Sequence, residues 1–212
     1  MKLFMIVFLG LNLTQLTWAH PVIYKDGTMI GSANMSMYSD NEVNYSFHQQ
    51  WATGLNHLRF SKDDKNVEMG LLRLNHLLKR WNTDDSQANI YLVSGIGAAD
   101  SGFDQESAKA AYLGGIETDW ESRTLLASLK YTQFNSPELF DISMTKARLG
   151  FAPFVAGFDK LQTWFMLQGM YIKGVNKNVI VTPMIRLFYK NALWEMGSST
   201  RGEWMFNFMI HI

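Results

Sequence analysis

The chain has 212 residues, with 19 basic and 19 acidic side chains, seven Trp, eight Tyr, fourteen Phe and no cysteine. The lack of cysteine excludes disulfide staples and thiolate metal sites, and the balanced charge offers no basic stripe for nucleic acid, which is therefore not an expected partner. No apolar run reaches the ~18 residues of a membrane-spanning helix, so any crossing of a bilayer would fall to strands.

At the start, Lys2 precedes an apolar stretch, Leu3 to Leu13, and Thr17-Trp18-Ala19 forms a small-residue cleavage site. This pattern predicts a secretory signal peptide over residues 1–19, with His20 as the new N-terminus. A retained anchor is the alternative, but the stretch is short for a bilayer and contains Asn12, Thr14 and Gln15. Loss of Lys2 leaves 18 basic against 19 acidic residues, a net of −1. Residues 20–212 are expected to form a single domain.

From residue 20 onward, alternation dominates. Residues 21–25, the Asp26-Gly27 turn and residues 28–38 read as a first hairpin. Val43, Tyr45 and Phe47 then oppose Asn44, Ser46 and His48 with the period of a strand. Over 67–81 a strand is expected, although Leu71, Leu74, Leu78 and Trp81 sit at helical spacing and Leu71-Leu72 breaks the alternation, so a helix stays open there. Further strands follow at 87–98, at 112–120 with Tyr112, Ile116 and Trp120 opposing Glu117 and Asp119, and at 123–134, 142–156, 161–172, 178–190 and 192–198. In the last segment Trp204, Phe206, Phe208, Ile210 and Ile212 alternate with Glu203, Met205, Asn207, Met209 and His211.

The connections alternate in length: 39–42, 82–86, 121–122, 157–160 and 190–191 are tight, and 61–66, 99–107, 135–141 and 173–177 tend to be longer. Short turns on the periplasmic side and long loops outside are the habit of a transmembrane barrel. The expectation is an all-β, antiparallel up-and-down transmembrane β-barrel of 10 to 12 strands, in which 28–38 descends toward the periplasm. A soluble lipocalin-like barrel shares the alternation with its apolar face inward. Aromatic residues near strand ends, Trp51, Trp81, Trp120, Trp164 and Tyr189, favour the membrane version as interfacial girdles.

With this phasing the lumen receives Glu117, Asp119, Lys130, Lys146, Arg148, Arg186, Glu203 and His211. Opposite charges in a confined bore imply either a salt-bridge network that holds strands in register or a selectivity lining. Ser46 and His48, two apart on one face, are the candidate pair for a hydrolase of envelope lipids, although that face points into the lumen. No metal is expected; the candidates were one to exist are His20, through its amine and imidazole, and the thioethers of Met29, Met35 and Met37. Gly95, Gly97, Gly114 and Gly115 lack a following helix and a Lys-Ser or Lys-Thr partner, so they relieve curvature or admit packing onto bare backbone instead of holding phosphate.

The terminal segment Trp204 to Ile212 looks like the last strand of a bacterial outer-membrane barrel, with Ile212 where a Phe is usual. That resemblance implies recognition by the barrel assembly machinery. Leu77-Leu78-Lys79-Arg80-Trp81-Asn82 with Gln87-Ala88-Asn89, Thr182-Pro183-Met184 and Phe206-Asn207-Phe208-Met209 resemble small outer-membrane barrel proteins of Gram-negative bacteria. This implies a fold and a place in the cell outer membrane, among its lipids, and no reaction. The favoured function is a narrow passive channel for small polar solutes or ions, without cofactor. A closed structural or adhesion barrel acting through loops 99–107 and 135–141 is the alternative, and an enzyme is the less favoured reading.

Overall fold

The structure is a computed structural model that describes residues 20–62, 65–100, 108–137 and 139–212. The expected leader, residues 1–19, and most of the loop 99–107 lie outside the described residues.

The alternating segments form twelve antiparallel strands: β1 (Thr28–Met35), β2 (Tyr38–His48), β3 (Trp51–Lys62), β4 (Lys65–Asn82), β5 (Ser86–Asp100), β6 (Lys109–Ser122), β7 (Leu125–Ser136), β8 (Phe140–Phe151), β9 (Gln162–Lys173), β10 (Ile180–Tyr189), β11 (Ala192–Ser198) and β12 (Trp204–His211). Each pairs with its neighbours in sequence, and β1 pairs with β12 from Met29 opposite His211 to Met35 opposite Met205, which closes the barrel. Closure leaves no unpaired edge, the condition for a sheet whose outer face meets an apolar medium. One mouth, here the terminal end, carries the start of β1 and the end of β12; the other is the distal end.

The outer wall is apolar toward the terminal end. Tyr45 and Phe47, Leu72 and Leu74, Leu125 and Leu129, Leu149 and Phe151, and Phe165 and Leu167 are all exposed there. Trp51, stacked on His76 at 3.8 Å, with exposed Trp81, Trp120 and Tyr189, forms an aromatic level at the terminal end; Tyr112, Tyr171 and Trp204 form a second one farther up. Beyond it the outward positions turn polar, with Ser32 bonded to Asn41 at 2.7 Å and His57 beside Glu68 at 3.4 Å. Trp164 corrects the girdle expectation, since it is 2% exposed and points inward, where it packs with other buried apolar residues.

Several local expectations are also corrected. The count of twelve holds, but residues 21–25 form no strand, whereas Trp51–Lys62 does. The first hairpin turns at 36–37, and the expected turn 39–42 lies inside β2. There Asp40 and Glu42 are polar because they point inward, where Asp40 accepts from Tyr38 and Asn56 at 2.7 and 2.6 Å. β1 consequently runs away from the terminal end, against the expected descent of 28–38. The segment 67–81 is strand, and a bulge between Leu77 and Lys79 accounts for its irregular spacing. Before the bulge odd-numbered residues such as Leu71, Arg73 and Leu77 face inward; after it Arg80 faces inward and Trp81 outward. β8 stops at Phe151 because Pro153 has no N–H to offer a ladder, so the terminal-end connection 152–161 is long. The other terminal-end turns are tight, as is 36–37 at the distal end, and among the described residues the longer distal connections are 174–179 and 199–203.

Candidate functional site

Alternation decides which side chains enter the barrel, and register decides which of them meet. Lys130 on β7 lies directly between Glu117 on β6 and Lys146 on β8. Its Nζ is 3.2 Å from Glu117 Oε2. One carboxylate thus stands beside two lysines that oppose each other, a pairing of like charges that is unfavourable by itself.

Farther round the wall Glu195 of β11 gathers a knot. Arg186 Nε donates to its Oε1 at 2.7 Å, Asn207 donates to its Oε2 at 2.7 Å, and Arg148 Nη2 reaches Oε2 at 2.8 Å. Arg148 belongs to β8 and also donates to Gln168 of β9 at 2.9 Å, so its side chain bridges along the inner wall past β9 and β10. A third pair, Arg73 on β4 with Glu42 on β2, is backed by Asn75 and Asn44. Gly54 and Gly95 flank Arg73 in register. Among the glycines expected to admit close packing, Gly97 lies against bare backbone, since a Cβ there would collide with the Gly70 carbonyl oxygen.

Residues 20–27 enter the terminal mouth and act as a plug. Val22 is wholly buried with Ala52, Leu77 and Tyr91. Ser46 ties the segment down: its Oγ accepts from Ile23 N–H at 3.1 Å, its carbonyl accepts from Asp26 N–H at 2.7 Å, and its own N–H donates to Gly27 at 2.9 Å. Asp26 takes a left-handed φ of 66° at the bend into β1 and accepts from Tyr45 Oη at 3.0 Å. His20 ends 3.5 Å from Asp119 and 3.8 Å from Glu121, with its ring 5.6 Å from that of Tyr91. Burial works against its charge, but the two carboxylates prevail and its pKa is raised from 6.5 to about 9.

The expected lumen residues fall as follows. Glu117, Asp119, Lys130, Lys146, Arg148, Arg186 and His211 share the inward parity of their strands, while Glu203 lies in the connection 199–203 at the distal mouth. Ser46 and His48 are not brought together, because the register shifts between Tyr45 and His48. Ser46 is buried against the plug, and His48 is exposed with Nδ1 accepting from Gln50 N–H at 3.2 Å. Met29 and Met35 face inward six residues apart, roughly 20 Å along the strand, and Met37 sits in the distal turn, so the thioethers do not gather about His20. Asp40, Glu42, Arg73, Glu121 and Glu195 are the functional candidates that alternation could have reached and did not name. Arg73 between outward Leu72 and Leu74, and Glu195 between Trp194 and Met196, carry the same signal as the others.

No known protein family matches the chain, and no curated protein does. Among solved structures it is similar to a KdgM porin, at a TM-score of 0.49 and 9% identity over 87% of this chain and 97% of that one. It is likewise similar to a KdgM porin in complex with disordered oligogalacturonate, at a TM-score of 0.50 and 9% identity over the same shares. At this identity the likeness is one of fold.

Proposed function

We propose that this chain is an outer-membrane barrel that acts as a narrow passive channel for small polar solutes or ions. The observation that carries this reading is its inside-out amphipathicity: an apolar outer band between aromatic levels encloses a charged interior belt that keeps some contact with water. The side chains of Glu42, Glu117, Lys130 and Arg148 retain 14–19% of their exposure although they face inward. Attraction of both signs along such a belt favours small hydrated solutes and ions. The polyanion named for one of the similar structures fits this interior less well, since Arg73, Arg148 and Arg186 already face carboxylates. Passage past residues 20–27 requires the plug to shift or a narrow route beside it.

Single-channel conductance of the refolded protein in a planar bilayer tests the proposal, with heat-modifiable gel migration as the check on folding. Small, steady, ion-selective steps are expected, and a folded but silent barrel would overturn the channel. One observation favours a second reading, a closed barrel that acts through its distal loops: Arg186, Glu195 and Tyr91 are almost wholly buried inside the bore. On that reading the wild type is silent and Arg148→Ala, which removes an inward guanidinium bonded to Glu195, opens it.

A further inference from the structure

At the terminal end, His20 of the plug meets Asp119 and Glu121 of β6. One donor atom from each lies within 4.8 Å of the other two. The two acids share a face because they are two apart on a strand, and His20 reaches them only because residues 20–27 fold back into the mouth.

Ordinary polar lining differs from this cluster in its hydrogen bonding. Glu121 is 1% exposed, and its Oε1 has no hydrogen-bond partner; His20 Nε2, 3.8 Å away, has none either. Buried polar atoms are nearly always paired, so two orphans 3.8 Å apart leave a place for one Lewis acid once the imidazole gives up its proton. His211 adds a further buried, unpartnered Nε2 on the inward face of the same end.

We propose that His20, Asp119 and Glu121 bind a divalent first-row transition ion, zinc being the probe of choice, which ties the plug to the barrel wall. One imidazole with two carboxylates and no thiolate suits Zn²⁺, Mn²⁺ or Fe²⁺, and the imidazole argues against Mg²⁺ and Ca²⁺. Ligand atoms held about 2.0–2.2 Å from one ion lie roughly 3–3.5 Å apart, so the observed separations need only small side-chain adjustments. Binding displaces the imidazole proton and puts the charge of the ion between the two acids; Asp119 Oδ1 accepts from Asn89 at 2.6 Å, which leaves its Oδ2 toward His20. Cleavage after Ala19, as the sequence predicts, adds the His20 amine as a further nitrogen donor, while Pro21 has no N–H to contribute.

The test uses protein extracted from its membrane in detergent, stripped with a chelator and titrated with ZnCl₂ by calorimetry; Co²⁺ serves as the visible-absorption probe. One Zn²⁺ per chain is expected, bound at least about tenfold more weakly by His20→Ala and by Glu121→Gln. Glu68→Gln, at an exposed outward position, should bind as the wild type does. Heat-modifiable migration shows which variants have folded. Absence of stoichiometric binding in the wild type, or equal affinity in His20→Ala and Glu121→Gln, overturns the proposal. Since the readout is binding, the result is separable from conductance and does not rest on the channel reading.

Discussion

Glu195 and Glu121 are both inward-facing and nearly equally buried, at 2% and 1% exposure, yet their surroundings are opposite. Glu195 has both oxygens occupied by Arg148, Arg186 and Asn207, so its charge is matched and its lone pairs are used. Glu121 has one oxygen without a partner and a single histidine nearby. Burial alone therefore does not distinguish a structural knot from a binding site; the completeness of hydrogen bonding does.

The comparison breaks most visibly at Glu195. Replacing it with Ala leaves two guanidinium groups in the bore without their carboxylate, which should cost about 3–5 kcal/mol. Urea unfolding in lipid or detergent, followed by tryptophan fluorescence, measures this, and a loss below about 1 kcal/mol would mean that water already carries the charges. Arg73→Met should cost less, about 2 kcal/mol in the same assay, because its partner Glu42 keeps 15% of its exposure and can be rehydrated.

Ser46→Ala removes one side-chain bond to the plug, worth about 1 kcal/mol. Its clearer signature is local: residues 20–27 should become more sensitive to protease while the barrel still migrates as folded. Unchanged cleavage would show that Val22 packing alone holds the segment. Smallest of all is Glu121→Gln in metal-free buffer. It keeps the shape and removes a charge whose Oε1 made no hydrogen bond, so stability should move by about 1 kcal/mol or less. A loss as large as that of Glu195→Ala would erase the distinction between the two glutamates.

Alternation made much of the wall legible. β12 has the two faces expected of it, with Trp204, Phe206 and Ile212 exposed and Met205, Asn207 and His211 buried. β3 escaped because its amphipathicity reverses along its length. Trp51 and Leu55 point outward near the terminal end, but beyond the apolar band the outward residues are His57 and Arg59, and the apolar ones, Leu58 and Phe60, point inward. A strand whose outward face turns from apolar to polar along its length cancels its own periodic signal. In β4 the same reversal and a bulge combine, which is why a helix looked possible over 67–81. Residues 21–25 pose the converse problem: they read as a strand, but Val22 fills the mouth of the barrel and no strand pairs with them.

By itself the sequence determined the all-β class, the antiparallel wall and the inward position of most lumen charges, since these follow from a period of two between near neighbours. Only the tertiary structure decided that Trp164 turns inward, that Arg148 crosses to Glu195, and that His20 meets Asp119 and Glu121. Those contacts join parts of the chain that are distant in sequence and do not pair as neighbouring strands. They depend on ring closure and register, which no local pattern encodes.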